Sequence, residues 1–445
     1  MPHRFDTRAE DFAPRFAAFL AAKREASIEV GEEVARIIAD VRRRGDEALI
    51  ELSRRFDGAD LKRLGIRVAP ERLIEAERSV APDLLAALRL AAERIEAHHR
   101  RQLPESGTYR DALGVTLGQR WTAVEAAGLY VPGGTASYPS SVLMNAIPAK
   151  VAGVPRLAMV VPYKDGALNP LVLAAARVAG VDEVYTIGGA QAVAALAFGT
   201  KSVVPVAKIV GPGNAYVAAA KRQVFGTVGI DMIAGPSEVL VIADRDNDPD
   251  WIAADLLAQA EHDRAAQSIL VTDDAGFAAA VEAAVERQLA GLARGDIATA
   301  SWQEFGAVIL VDDLDEAVPL ADRIAAEHLE IATRDPEALA GRIRNAGAIF
   351  LGAHTPEVIG DYVAGSNHVL PTARSARFSS GLGVLDFMKR TSLLKLDAAS
   401  LGALAPAAMA LARAEGLDGH RNSVAIRLGA GKATKGDGPA EEGGS

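Results

Sequence analysis

The sequence contains no cysteine in 445 residues. This absence excludes disulfide bonds, thiolate metal ligands and a cysteine nucleophile. Basic residues are also in the minority: 48 lysines and arginines stand against 58 aspartates and glutamates, which gives a formal net charge of −10. Proteins that bind nucleic acid usually carry a basic excess or a basic stripe, so we expect no nucleic-acid partner. The densest basic cluster, Arg42-Arg43-Arg44, lies beside acidic residues on a predicted helix and is typical of a solvated face.

Long hydrophobic runs are missing as well. The most apolar stretch covers residues 398–412 and contains Ser400 and Pro406. A membrane-spanning helix needs about 20 apolar residues, so this stretch is too short. The N-terminal segment MPHRFDTRAEDF has no apolar signal core. We therefore expect no membrane association and a cytoplasmic location.

The composition is otherwise that of an ordinary globular protein, with 49% hydrophobic and 24% charged residues. At about 100–200 residues per domain, the length predicts two to four domains. Residues 7–56 and 70–103 are rich in helix formers and place apolar residues at three- and four-residue spacing. We therefore predict a helical N-terminal region over residues 1–104.

From residue 125 onward, short β-rich runs alternate with alanine-rich helical runs. Predicted strands span 158–161, 184–187, 207–210, 238–242, 268–271, 307–311 and 348–351. Predicted helices span 170–178, 190–198, 214–225, 249–262 and 275–293. This alternation predicts parallel sheets with helices on both faces. We infer two α/β domains, at 105–236 and 237–380, followed by a helical segment at 381–428 and a disordered, glycine-rich tail at 429–445.

Glycine-rich turns follow several predicted strands. They lie at 132–134, 188–189, 211–214 and 235–237. Turns of this kind that open a helix suit phosphate or nucleotide binding, because free helix N–H groups face the ligand. Ordinary tight turns have the same composition. Neither a complete dinucleotide fingerprint nor a P-loop is present.

Polar side chains cluster in the second half of the chain. Gln259 and His262 are three residues apart and can point at one ion from a helix end, with Asp255 as a competing group on a nearby face. Glu327 and His328, at the end of a predicted amphipathic helix, suit general acid–base chemistry, although a surface glutamate beside a packed histidine would look the same.

A second group of polar residues lies further along the chain. Asp361 and His368 fall in a glycine-flanked polar loop and are candidates for ligand or substrate contacts. Glu415 stands near a helix C-terminus, where the helix dipole disfavours an anion, and this placement indicates a cationic partner or a solvated end. Without thiolates, these oxygen and nitrogen donors could hold Zn²⁺, Mn²⁺ or Co²⁺.

Together, these segments resemble the L-histidinol dehydrogenase family over about residues 27–428. The resemblance rests on residues 130–134, 189–200, 208–214, 231–238, 259–263, 327–330, 365–368 and 415–420, in that order. It implies two incomplete Rossmann-like parallel-sheet domains with helical N-terminal and C-terminal segments. It also implies that L-histidinol is oxidised to L-histidine through L-histidinaldehyde, the last step of histidine biosynthesis, with two NAD⁺ consumed and one Zn²⁺ bound per subunit.

The resemblance also assigns roles to residues. It implies that Gln259, His262, Asp361 and His420 bind zinc and that Glu327 and His328 are the acid–base pair. These zinc ligands and His328 would also contact the substrate, together with Ser237, His368 and Glu415. NAD contacts fall on Tyr130, Gln191 and Asn214. The family forms homodimers with shared active sites, to which Glu415 and His420 would contribute across the interface.

Two alternative functions stay open from the residues. A metal-dependent hydrolase could use the same glutamine, histidine and aspartate donors, and it would turn over without NAD⁺. A nucleotide-binding or scaffold protein without catalysis would bind a dinucleotide without a functional metal site. The glycine turns argue against the hydrolase, and the intact acid–base pair argues against the scaffold.

Overall fold

The computed structural model describes residues 1–22, 30–133, 138–163, 168–233 and 235–429. Except for Gly429, the predicted disordered tail lies outside the described residues. The chain divides into two compact units. The first contains residues 1–103 and 123–387, and the second contains residues 104–122 and the segment from 388 onward. The five-part division predicted from the sequence stays a prediction.

The first unit contains most of the helices and strands. Its strands are β1 (His3–Asp6), β4 (Ala127–Tyr130), β5 (Leu157–Val160), β6 (Glu183–Tyr185), β7 (Lys208–Val210), β8 (Gly229–Ile230), β9 (Glu238–Ala243), β10 (Gln267–Thr272), β11 (Ala307–Leu310), β12 (His328–Ala332) and β13 (Ala348–Leu351). The second unit contains β2 (Gly107–Arg110), β3 (Thr116–Ala123, whose last residue belongs to the first unit) and β14 (Met388–Lys395).

The helices follow the same division. The first unit holds α1 (Phe12–Ala21), α2 (Gly31–Arg44), α3 (Asp46–Asp57), α4 (Leu61–Leu64), α5 (Pro70–Ser79), α6 (Pro82–Arg100), α7 (Pro139–Val151), α8 (Pro170–Val178), α9 (Gly189–Phe198), α10 (Ala215–Val224), α11 (Pro249–Ala260), α12 (Ala275–Leu289), α13 (Gly295–Phe305), α14 (Ala317–Ile324), α15 (Pro336–Ala340) and α16 (Glu357–Tyr362). The second unit holds α17 (Ala398–Ala414) and α18 (Asp418–Arg427).

Two parallel sheets form the framework of the first unit. The five-stranded sheet has the order β6-β5-β4-β7-β8, and the six-stranded sheet has the order β1-β11-β10-β9-β12-β13. All strand pairs within these two sheets for which a register is given are parallel. The predicted α/β fold class is therefore confirmed.

The six-stranded sheet is buried on both faces, which explains its continuous apolar runs. Along β9, Val239 and Val241 pack on one face against α11 and α12. Leu240 and Ile242 pack on the opposite face, where residues of α1 and α14 cover them. Because successive strand residues point to opposite faces, a strand covered on both sides must be apolar throughout. The same pattern made these strands predictable from the sequence.

The N-terminal region was predicted as helical, but residues 3–6 form a parallel edge strand. β1 pairs with β11 in the register His3↔Ala307 to Asp6↔Leu310. Phe5 is buried in this position, and its ring meets the ring of Phe16 on α1 at a centroid separation of 6.1 Å. A four-residue strand carries too few residues to show a period, so only its distant partner reveals it.

Two further expectations are wrong. Residues 321–331 were expected to form one helix that ends near Glu327 and His328, but Ala325 adopts φ 49° and ends α14. The next residues form β12 between β9 and β13, since pairing with two strands overrides local helix propensity. Within the segment predicted as helical at 381–428, residues 388–395 form β14 instead, in a three-stranded sheet of order β14-β3-β2.

No helix within the described ranges is long and apolar enough to cross a bilayer.

Candidate active site

The predicted acid–base pair lies at the amino-terminal edge of the six-stranded sheet. His328 is the first residue of β12, and Glu238 is the first residue of the neighbouring β9. α11 ends at Ala260, immediately after Gln259 and two residues before His262. Many α/β proteins bind ligands at the carboxyl edge of the sheet, so this position departs from the usual rule.

The imidazole of His328 is held by contacts on both ring nitrogens. Nδ1 lies 3.1 Å from the backbone carbonyl oxygen of Glu238, and Nε2 lies 3.4 Å from Oδ1 of Asp361. A carbonyl oxygen only accepts hydrogen bonds, so Nδ1 carries the proton in the neutral ring. Nε2 is then the nitrogen with the free lone pair. Once Nε2 has released its proton, this tautomer allows it to act as a base.

Several carboxylates surround His328. Nδ1 lies 3.5 Å from Oε2 of Glu357 and 3.8 Å from Oε2 of Glu327. Burial would lower the pKa of His328, but the negative charges of Glu357, Glu327 and Asp361 raise it well above the usual range. The site therefore stabilises a positive charge on this imidazole.

Glu327 is buried beside the histidine. Its Oε2 accepts a hydrogen bond of 3.0 Å from the backbone N–H of Glu238. Burial raises the pKa of Glu327 to about 7. A carboxyl group with a pKa near neutrality can both take up and release a proton, which is what general acid–base catalysis requires.

A chain of buried carboxyl groups behind His328 was not predicted as functional. The backbone N–H of Glu357 donates 2.6 Å to Oε1 of Glu330, and the Glu330 carboxyl is hydrogen-bonded to Asp255. Burial raises the pKa of Glu357 to about 8 and that of Asp255 to about 6. Asp255, expected as a competitor of the metal ligands, therefore faces another carboxyl group. The signal that could have found this cluster is a glutamate at position 330 inside an apolar strand.

Three of the four predicted metal ligands belong to the first unit. Gln259 is fully buried, and neither its side-chain oxygen nor its side-chain nitrogen has a hydrogen-bond partner. Burial lowers the pKa of His262, whereas the nearby negative charge of Asp361 acts in the opposite direction. Buried, unpaired amide atoms beside a neutral histidine and a carboxylate suit a divalent cation. No group of three or more histidines, aspartates and glutamates in the described ranges is arranged to hold a metal ion.

Asp361 and His368 are brought together, although not on one loop as predicted. Asp361 lies on α16, and its backbone carbonyl oxygen is 2.9 Å from Nδ1 of His368. Nε2 of His368 is 3.2 Å from the hydroxyl of Ser141. Arg94 fixes the intervening loop, because its guanidinium donates to the carbonyl oxygens of Val363 and Ala364.

The remaining predicted substrate contacts lie at other positions. Ser237 directly precedes β9, and its carbonyl oxygen accepts 3.0 Å from the N–H of Gln267. Glu415 and His420 belong to the second unit. Glu415 follows the last residue of α17, and His420 lies in the first turn of α18.

The predicted NAD contacts line one cavity of about 600 Å³ in the first unit. Tyr130 ends β4, and its hydroxyl oxygen accepts 2.9 Å from the N–H of Gly189 at the start of α9. Gln191 is buried, and its Nε2 has no hydrogen-bond partner. Asn214 caps α10 through bonds to the N–H groups of Tyr216 and Val217. These residues meet at the carboxyl edge of the five-stranded sheet, where the strand order reverses between β4 and β7.

Gly211 shapes the turn in front of α10. It has φ 112°, and a Cβ atom there would lie 2.2 Å from the backbone carbonyl oxygen of Tyr130. Both the conformation and the close approach require glycine at this position. The turn can therefore lie directly against the strand that carries Tyr130.

The chain is similar in sequence to proteins of one known family. A sequence model of the family described as histidinol dehydrogenase matches residues 20–428. The chain belongs to this family. The histidinol dehydrogenase of Rhizobium meliloti (strain 1021) is 70% identical over 421 residues, which cover 95% of this chain and 97% of that protein. The histidinol dehydrogenase of Nitrobacter winogradskyi is 67% identical over 428 residues, covering 96% and 100% of the two chains.

The fold agrees with this membership. A crystal structure of histidinol dehydrogenase from Elizabethkingia anophelis matches with a TM-score of 0.92 and 34% sequence identity. The match covers 96% of this chain and 98% of that one. As a member of the histidinol dehydrogenase family, the protein is an oxidoreductase, and the resemblance seen in the sequence is confirmed.

Proposed function

We propose that the protein oxidises L-histidinol to L-histidine as the last step of histidine biosynthesis, with NAD⁺ as the oxidant and zinc bound at the site. The observation that carries the proposal is the buried pair Glu327 and His328, whose imidazole acts electrostatically on His262, three residues after the unpaired amide of Gln259. The overall reaction converts a primary alcohol, one water and two NAD⁺ into a carboxylate, two NADH and three protons. NAD⁺ supplies the chemistry of hydride acceptance in both oxidations.

His328 acts as the base of the first oxidation. Nε2 removes the alcohol proton of histidinol while hydride leaves the carbinol carbon, which yields L-histidinaldehyde. The carbonyl oxygen of Glu238 holds Nδ1, 3.1 Å away, so that the lone pair stays on Nε2. The surrounding carboxylates stabilise the imidazolium that forms.

Glu327 acts in the second oxidation. Its carboxylate removes a proton from water as the water attacks the aldehyde. The His328 imidazolium returns its proton to the former carbonyl oxygen, so the product is a neutral aldehyde hydrate and Nε2 is free again. His328 again takes a proton when hydride leaves the hydrate carbon. Because the chain has no cysteine, a thiohemiacetal route has no sulfur nucleophile, and the hydrate is the simpler intermediate.

Zinc would be held by Gln259, His262, Asp361 and His420, and it would supply a binding template for the imidazole and amino nitrogens of histidinol. The buried and unpaired amide of Gln259 supports this assignment. The same donor set would accept Mn²⁺ or Co²⁺. Ser237, His368 and Glu415 would complete the contacts to the substrate.

The dinucleotide would bind in the cavity lined by Tyr130, Gln191 and Asn214. Two features support this assignment: the cavity lies at a reversal of strand order, and the helices α9 and α10 begin beside it. We further propose a homodimer in which Glu415 and His420 of one copy complete the site of the other.

The deciding assay measures NADH formed per L-histidinol, before and after chelation. Two NADH per substrate, lost on chelation and restored by Zn²⁺, are expected. Asp361→Asn should lose bound zinc on dialysis, whereas Asp255→Asn should retain it, because Asp255 faces Glu330. Metal-dependent hydrolysis without NAD⁺ would favour the hydrolase. Dinucleotide binding without a functional metal site would favour the nucleotide-binding or scaffold protein.

Shared active sites are tested by mixing two inactive variants, His328→Ala and His420→Ala. If each site takes His328 from one copy and His420 from the other, every hybrid dimer contains one intact site. Random exchange makes half of the dimers hybrids, so recovery of about a quarter of the activity is expected. No recovery in mixtures that contain hybrids would contradict the shared site.

A further inference from the structure

Asp57 lines the proposed dinucleotide cavity but has no role in the steps above. It is the last residue of α3 and shares the cavity with Tyr130, Gln191 and Asn214. Its Oδ2 is buried and has no hydrogen-bond partner. A buried carboxylate oxygen without a donor is costly, so this atom is suited to a ligand that donates hydrogen bonds.

The surroundings of Asp57 restrict the part of a dinucleotide that fits there. Ile37, Phe56 and Tyr216 line the same cavity. Phe56 is 44% exposed, and the hydroxyl of Tyr216 donates 2.9 Å to Oε2 of Glu33, which fixes that ring. Apolar and aromatic surfaces suit the flat adenine base. The sugar attached to the adenine would then lie next to Asp57.

The charge of the lining is as informative as its shape. Among the described residues that line this cavity, none is lysine or arginine. A dinucleotide with a phosphate on the 2′ oxygen of the adenosine ribose would place two negative charges near a buried carboxylate. No cation among these lining residues would offset their repulsion, and Arg55, whose charge reaches Tyr216, is paired with Glu33.

We propose that Asp57 accepts hydrogen bonds from the hydroxyls of the adenosine ribose and thereby selects NAD⁺ over NADP⁺. This inference rests on the proposed function, since it assumes that the cavity binds a dinucleotide. An acidic residue that recognises ribose usually follows the second strand of a Rossmann unit. Here the carboxylate comes from an N-terminal helix that packs beside α9.

The test compares wild type with Asp57→Ala and Asp57→Asn in steady-state kinetics with both dinucleotides. In Asp57→Ala, the KM for NAD⁺ should rise about tenfold, with kcat within about twofold, because one charge-assisted hydrogen bond is lost. The preference for NAD⁺ over NADP⁺, taken as the ratio of kcat/KM values, should fall at least about tenfold. Asp60→Asn, an exposed change three residues further on, is the matched control and should leave both values unchanged.

A modified dinucleotide separates a ribose contact from a general disturbance of the cavity. 2′-Deoxy-NAD⁺ should bind more weakly than NAD⁺ to wild type and equally well to Asp57→Ala. An unchanged dinucleotide preference in Asp57→Ala, or the same penalty for 2′-deoxy-NAD⁺ in both proteins, would overturn the proposal.

Failure of the proposed function gives a different result. If wild type does not oxidise histidinol with either dinucleotide, the proposed reaction is wrong, and calorimetry with ADP-ribose then decides the role of Asp57. Tighter binding of ADP-ribose to wild type than to Asp57→Ala supports the ribose contact, and equal or absent binding overturns it. Asp57→Asn keeps the size of the side chain and covers the case in which Asp57→Ala fails to fold.

Discussion

Lys221 and Asp231 form a buried ion pair beneath the turn that leads to Asn214. Both side chains are almost completely inaccessible to solvent. Nζ of Lys221 also donates 3.0 Å to the carbonyl oxygen of Gly211, and Oδ2 of Asp231 accepts 2.7 Å from the N–H of the same glycine. The pair therefore holds both backbone polar groups of Gly211.

Removing one partner should be far more harmful than removing a surface ion pair. Lys221→Met leaves the Asp231 carboxylate buried without its counter-ion, and we expect the free energy of unfolding to fall by about 3–5 kcal/mol. Arg334→Met, which breaks the exposed pair between Arg334 and Asp246, should cost at most about 1 kcal/mol. Urea denaturation monitored by circular dichroism measures both changes. Equal losses would show that burial of the first pair has no energetic consequence.

Gly211→Ala should destabilise the protein more than Gly226→Ala. Both glycines have positive φ, 112° and 99°, but a Cβ atom on Gly226 meets nothing within 4 Å. Alanine at 226 should therefore cost about 1–2 kcal/mol from backbone conformation alone. Alanine at 211 adds a collision with the Tyr130 carbonyl, so we expect at least about 3 kcal/mol and weaker NAD⁺ binding. Thermal unfolding and NAD⁺ titration distinguish the two, and equal costs would contradict the close contact.

Glu327→Gln should separate the two oxidations. Water activation needs the carboxylate, so the second oxidation should slow by about 10²–10⁴-fold. The first oxidation relies on His328 and should lose less than about tenfold. The measurement is NADH formation from histidinol with an aldehyde trap present, compared with NADH formation from supplied histidinaldehyde. An equal loss in both reactions would be incompatible with a role for Glu327 in water activation.

In the absence of nucleotide, Asp57→Asn should stabilise the protein by an amount that depends on pH. Burial raises the pKa of Asp57 from 3.8 to about 6, so the folded state disfavours the ionised form. The resulting penalty is absent below pH 3.8, grows as the pH rises to 6 and is complete above that value. Because the group is partly exposed, the variant should gain only about 1 kcal/mol at neutral pH. Urea denaturation midpoints of wild type and variant at acidic and neutral pH measure this difference in stability. A stabilisation that does not change with pH would show that ionisation of Asp57 is not its cause.

The sequence predicted the parallel strands well because burial on both faces leaves apolar runs such as EVLVI at 238–242. It failed where distant pairing decides the structure. The segment before His328 has helical spacing and no glycine or proline to mark its end, since the left-handed residue is Ala325. β14 was missed because its residues are mostly exposed and include charged side chains.

The candidate site was predicted in part for similar reasons. Residue types and their spacing indicated four candidates, because their side chains are the donor and acid–base groups that the chemistry needs. These are Gln259, His262, Glu327 and His328. Glu330 lies on the same strand as His328, whereas Glu357, which approaches His328 and donates its N–H to Glu330, comes from α16, so no local pattern connects the two carboxyls. Lys221 and Asp231 were missed as a pair for the same reason.

The pairing of residues 3–6 with residues 307–310 has a consequence for protein synthesis. About 300 residues separate the two segments, and at roughly 5–20 residues per second a ribosome needs about 15–60 s to add them. During that interval Phe5 and Phe16, which are buried in the folded protein, have no sheet edge to cover them. The nascent chain therefore offers chaperones an apolar segment until translation has passed residue 310.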